Sequence, residues 1–182
     1  LYLLTGITHL DGVADLGDAA VVHGDRERKR EAMTDSLVGT GGALAIAVTI
    51  LGLASAALAL AGRPWQAVGV VVAAEVGAKI GMALVVCFGT AAFEGLGSAL
   101  SGSATPRTAL PVVVLAAPAT ILAWPVVQAS IAAVAAAVLV AALVYAWAKR
   151  TLGGLNGDVL GAANELGRVA ALHAGVIAWT LS

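Results

Sequence analysis

Long apolar runs alternate with short polar stretches along this chain. Runs near the ~20 residues that a helix needs to cross a hydrocarbon core lie at about 38–61, 65–88, 109–125, 129–148 and 167–182. Gly62-Arg63-Pro64 predicts a tight turn between the first two, with Pro64 opening the second helix. The stretch 109–148 is long enough for two passes. Trp124-Pro125, with Gln128 and Ser130, predicts the reversal, the alternative being a longer helix kinked at Pro125. The last run is short. The pattern predicts an all-α, polytopic membrane helix bundle, one integral-membrane domain over 1–182, with polar loops forming the site. Leu1-Tyr2-Leu3-Leu4 carries no initiator Met and reads as the tail of an apolar segment. The chain is therefore expected to be an N-terminally truncated fragment that lacks at least one earlier helix.

Folding these runs back and forth has a geometric consequence. The polar segments at about 5–36, 89–108 and 149–166 are each separated by two spans, so they emerge on one side. That side carries Arg26, Arg28, Lys29, Arg30, Arg107, Lys149, Arg150 and the borderline Arg168. The positive-inside rule makes it cytoplasmic, which predicts a multi-pass cell-membrane protein with its active loops in the cytoplasm. Every acid except Glu75 is there too. Such asymmetry suits a surface site better than a transporter, which needs access from both sides.

Composition supports the membrane reading. The chain is 60% hydrophobic and 12% charged, with mean hydropathy +0.95, against ~45–50% and ~25% in soluble domains. A net charge of −1 gives no hint of nucleic acid. The single cysteine, Cys87, excludes an internal disulfide and a cysteine-built metal site; it reads as packing.

The chemistry is concentrated in the polar segments. Asp11, Asp15 and Asp18 stand at i, i+4 and i+7, one stripe of a helix. Three crowded carboxylates repel unless a cation sits among them, and a hard divalent ion that also carries phosphates fits. His9 reads as a local hydrogen-bonding residue. The charged run from Asp25 to Ser36 predicts a short surface helix whose basic residues anchor lipid headgroups or face solvent. Asp35 and Ser36, ahead of Gly39-Thr40-Gly41-Gly42, put a carboxylate, hydroxyls and pliant backbone at the mouth of a span. Phosphate binding and close helix packing both fit that pattern. Glu94, followed by Gly95 and Gly97, and the glycine-rich run Gly153 to Glu165 repeat the theme. In the latter, Asp158, Gly161 and Glu165 share a helical face. Glu75 and Lys79 form an i,i+4 pair within the second span. Two mid-membrane charges cost roughly 5–7 kcal/mol, and the apolar side chains of 65–88 return about 3–6. That face must point into the bundle. His173 reads as a buried hydrogen-bonding residue and His23 as a surface one. There is no Ser/His/Asp arrangement, nucleotide P-loop or internal repeat.

The order of these motifs resembles cobalamin synthase, the adenosylcobinamide-GDP ribazoletransferase family. The resemblance rests on His9 to Asp18, on Arg26-Glu27-Arg28 through Met33, Asp35-Ser36 and Gly39-Thr40 to Gly42, on Glu94 to Gly97, and on Gly153 to Glu165. Departures are Leu37 and Lys79 where the family usually has Arg, Ala19 for Gly, Asn156 for Thr, and Phe93 for a polar residue. The resemblance implies an integral-membrane enzyme dependent on Mg²⁺. It would join adenosylcobinamide-GDP and α-ribazole, or its 5′-phosphate, to give adenosylcobalamin, or its 5′-phosphate, and GMP. Asp11, Asp15 and Asp18 would hold the metal, and one of them or Asp158 would take the hydroxyl proton. Asp35, Ser36, Lys79, Glu94 and Gly157 would contact substrate, with Glu75 fixing Lys79. The implied partners are the two substrates and the lipid bilayer; a homo-oligomer stays open. A CDP-alcohol phosphotransferase ranks second, because its Asp-Gly…Ala-Arg run fails where Asp15 follows Ala14. A transporter using Glu75 and Lys79 ranks third.

Overall fold

The computed structural model describes residues 7–62, 64–121, 124 and 126–182. Leu1-Tyr2-Leu3-Leu4, Arg63 of the expected turn and Pro125 of the expected reversal lie outside the described residues. The described residues form α1 (Thr8–Val21), α2 (Arg26–Thr34), α3 (Thr40–Leu60), α4 (Pro64–Phe88), α5 (Leu96–Ser103), α6 (Pro106–Ala116), α7 (Val127–Thr151) and α8 (Gly157–Thr180). A 3-10 turn, Ala117–Ile121, continues α6. Among these residues there is no strand, only an isolated parallel bridge between Ala91 and Leu155.

Three segments are long and apolar enough to cross a membrane: Thr40–Leu60, Ala67–Phe88 and Val127–Thr151. A fourth exists if Gly97–Ser103 and Pro106–Ile121, bent by 91°, count as one. Pro111 and Pro118 each remove a backbone donor in that segment. α8 begins at Gly157, well ahead of the run expected from 167, because its first three turns carry Asp158, Asn164, Glu165 and Arg168. It can hold such residues because it is the central helix. Val159, Ala162, Ala163 and Ala171 are fully buried along it.

Small residues set the packing. Ala129, Ala133, Ala137 and Ala141 recur every four residues of α7 and are fully buried, which lets helices approach closely where lipid offers no hydrophobic drive. Gly167 and Gly175 of α8 meet Ala137 and Ala129, so these two helices run antiparallel. Gly77 and Gly81 of α4 meet Val134 and Ala141, so α4 and α7 run parallel. A Cβ on Gly81 would stand 2.7 Å from that of Ala141, whereas one on Gly102 meets nothing within 4 Å. Gly81→Val should therefore cost about 1–3 kcal/mol by overpacking. Thermal unfolding in detergent should show it as a lowered Tm, with Gly102→Ala as the neutral control.

These directions gather α1, α2, the 89–105 segment and the 152–156 turn at one end of the bundle. Leu155 donates its amide to Thr90 and accepts from Ala92 (both 2.9 Å), tying two of the segments together.

Candidate active site

α1 buries Gly12, Val13, Ala14, Leu16, Asp18 and Ala19 along one side. Glycine brings it against two helix starts at once. A Cβ on Gly12 would lie 2.5 Å from the Asp158 carbonyl oxygen, and one on Gly17 would lie 2.6 Å from that of Gly41. α1 is thus wedged between the first turns of α8 and α3, and its aspartates meet both.

Asp18 goes to α3. Its carboxylate is buried and accepts from the Gly39 amide at 2.8 Å and the Gly42 amide at 2.9 Å. Those amides open α3, where donors lack intrahelical partners and the helix dipole favours a negative charge. Gly39 and Gly42 allow the approach, since a Cβ on either would strike an Asp18 oxygen.

Asp158 sits in the first turn of α8. Asn156 caps that helix, accepting from the Val159 amide at 2.9 Å, while its amide nitrogen donates to Asp158 Oδ2 at 2.8 Å. Burial, then the charge of Asp11, pushes the Asp158 carboxyl above the usual range, against the pull of the Asn156 bond. Asp15 is affected most. Burial, then Asp158, Asp11 and Asp18, push it up to about 7. Asp11 is exposed. Among the described residues no three His, Cys, Asp or Glu side chains gather into a metal-binding group, so the aspartates hold no closed cage of their own.

Beside the aspartates runs a polar chain that enters the bundle. Arg168, 5% exposed, pairs with Glu75 at 2.6 Å and with Glu165, 1% exposed, at 2.8 Å. Lys79 donates to Asn164 Oδ1 at 2.5 Å. Because Lys is only a donor, that bond leaves the Asn164 amide nitrogen to reach Glu165 Oε1 and His9 Nδ1, both at 3.1 Å. Burial, then the charge of Lys79, lowers the His9 pKa. That shift favours the neutral ring, whose Nδ1 accepts from Asn164 when its proton sits on Nε2. The expected Glu75–Lys79 pair is replaced, because each finds a closer partner on α8.

The basic residues of α2 also differ from expectation. Arg30 donates to the Leu152 carbonyl through Nε (2.8 Å) and Nη2 (2.5 Å), and reaches that of Ala92 at 3.3 Å. Arg26 reaches the Arg150 carbonyl at 3.3 Å, and Lys29 those of Val22 (2.7 Å) and Ala19 (3.1 Å). Cations here satisfy carbonyls at the C-terminal ends of α7 and α1. Of the expected headgroup anchors, Arg26, Lys29 and Arg30 are thus staples of the fold; Arg28 stays exposed.

A cavity of about 420 Å³ opens between α2, the 93–97 turn and the start of α8, with Gly157 and Asp158 in its wall. Of the residues predicted from sequence, Asp15 lies in the fields of Asp158, Asp11 and Asp18, Asp158 lies in that of Asp11, and Gly157 borders the cavity. Glu94 is exposed on the turn and Ser36 beyond α2, while Asp35 accepts from the Leu37 amide at 3.0 Å. None of these three lines the cavity. Lys79 belongs to the polar chain. Sequence reasoning gave no role of its own to Asn164 and counted Arg168 as a borderline cation of the cytoplasmic side. Their spacing from Glu165 within an apolar run was the available signal.

A family model described as cobalamin-5-phosphate synthase matches residues 1–176. The chain is 57% identical to the adenosylcobinamide-GDP ribazoletransferase of Halorubrum lacusprofundi, over 99% of this chain and 74% of that one. It is 50% identical to the namesake from Halobacterium salinarum, over 100% and 91%. With that of Archaeoglobus fulgidus it shares 35% identity over 100% and 74%. No solved structure matches.

Proposed function

The chain belongs to the cobalamin-5-phosphate synthase family, and on that premise we propose a specific reaction at the Asp11–Asp15–Asp158 cluster. It is a transferase of nucleotide-loop assembly in cobalamin synthesis. The substrates are adenosylcobinamide-GDP and α-ribazole or its 5′-phosphate. A hydroxyl of ribazole attacks the phosphorus nearest the cobinamide, the bond to GMP breaks, and GMP leaves. The observation that carries this reading is the gathering of Asp11, Asp15 and Asp158 where Gly12 of α1 packs on the first turn of α8.

Oxygen donors that repel one another suit Mg²⁺, which takes one or two carboxylates and fills its shell with phosphate oxygens and water. Asp11 and Asp158 would hold it. A Mg²⁺ ion held by these two carboxylates would supply positive charge to the diphosphate and to the leaving GMP. Asp15 takes the hydroxyl proton, since a carboxylate raised toward neutrality matches a general base at pH 7. Asn156 aims Asp158, and Asp18 fixes α1 against α3. The site end of the bundle faces the cytoplasm at the cell membrane, where the soluble substrate arrives.

The test is release of GMP and formation of a cobalamin product by the protein in membranes, with and without Mg²⁺. Absence of product from folded protein would sink the proposal. The pH profile adds a second check. A base raised to about 7 is protonated below that pH, so kcat/KM should fall about tenfold per unit on the acid side. A bound cation moves the break below 7. Asp15→Asn should lower activity and remove this limb; an unchanged limb would assign the base elsewhere.

A further inference from the structure

The cavity beside Asp158 has two chemically distinct parts. One wall is Phe93, with the Arg30 guanidinium carbon 5.6 Å from its ring centre. Arg30 is itself held by the Leu152 and Ala92 carbonyls, so the ring rests on a fixed cation. Another wall is Met33, 7% exposed, a soft side chain that adapts to a flat surface. The polar rim is already engaged. Thr34 donates to the Glu31 carbonyl, and Asn156 is shared between the Val159 amide and Asp158. The lining thus offers one aromatic ring and a thioether, and few free groups to read a ligand's edge.

A volume of about 420 Å³ lies in the ~300–1,000 Å³ range of small-ligand pockets. It suits a nucleoside and is too small for a corrinoid, a macrocycle several times larger. We propose that this cavity takes the planar heteroaromatic base of a nucleoside, packed against Phe93 and Met33, with its ribose toward Asp158. The inference rests on the reaction above, in which two nucleosides take part: the ribazole acceptor and the departing guanosine phosphate. Recognition by ring face needs no edge contacts. A benzimidazole, whose one free ring acceptor is its imine nitrogen and whose benzo edge is apolar, leaves little polar surface unpaired against this lining.

Phe93 is 46% exposed, so its truncation opens no core void. The experiment compares wild type with Phe93→Ala, Phe93→Leu and Phe93→Tyr, full chain in membranes. It reads KM for α-ribazole, inhibition by GMP, and direct binding of each. Loss of one stacked base contact is expected to weaken the occupant on the order of tenfold in both Ala and Leu, with Tyr near wild type. A rise in the α-ribazole KM, larger than any change in kcat, assigns the cavity to the acceptor. Weakened GMP binding alone assigns it to the leaving group. Turnover with neither ligand affected overturns the proposal and leaves the reaction standing. Absence of turnover with Phe93-dependent nucleoside binding does the reverse, and absence of both overturns both.

Discussion

Arg168→Met should leave little folded protein. Arg168 bridges Glu75 on α4 and Glu165 on its own helix, and both it and Glu165 are buried. Removing the cation strands two carboxylates in the bundle, and breaking a buried pair typically costs about 3–5 kcal/mol. Folded proteins hold only about 5–15 kcal/mol in reserve, so a loss of that size dominates. The pair itself need not stabilise: charges taken out of water and then matched roughly break even. The triple variant Arg168→Met, Glu75→Gln, Glu165→Gln should accordingly recover much of the loss. Arg168→Lys should fall between, because a point charge cannot serve two carboxylates as a planar fork does. Melting of the four proteins in one detergent decides the matter. If Arg168→Met melts with wild type, the bridge is not what holds α4 to α8.

That bridge marks the limit of what one-dimensional pattern reveals. α3, α4 and α7 were legible because lipid demands apolar residues on nearly every face, and such runs are visible in any window. The start of α8 was not, since Asp158, Asn164, Glu165 and Arg168 break the run and their partners come from α1 and α4. Local spacing paired Glu75 with Lys79, while the fold delivers a guanidinium from far along the chain. The α2 staples escaped for the same reason: a basic surface helix and a set of carbonyl clamps share one sequence. The aspartate stripe was legible from its i, i+4, i+7 spacing. Its division of labour was not, because it depends on where the Gly39 and Gly42 amides stand.

That division gives the sharpest functional contrast, between Asp158→Asn and Asp18→Asn. Asp158 is raised by burial and by Asp11, so its charge is a cost to the metal-free fold. Removing it should leave the protein at least as stable, while losing a group proposed to stand at the reacting centre. Turnover should drop on the order of 10²–10⁴-fold, the range for catalytic acid–base and electrostatic groups. Asp18 predicts the opposite pattern. Both its oxygens accept from amides, and a carboxamide can offer only one acceptor; its NH₂ would face a second donor. Bonds to a charged acceptor are worth about 1.5–3 kcal/mol, so Asp18→Asn should lower Tm and lose activity only as α1 loosens from α3. What remains folded should keep most of its kcat and the wild-type response to Mg²⁺. The two variants are compared by Tm, by Mg²⁺ titration and by turnover per folded molecule. An Asp18→Asn protein that melts normally yet makes no product would return Asp18 to the proposed metal site, and would mean that its amide bonds give way on binding there.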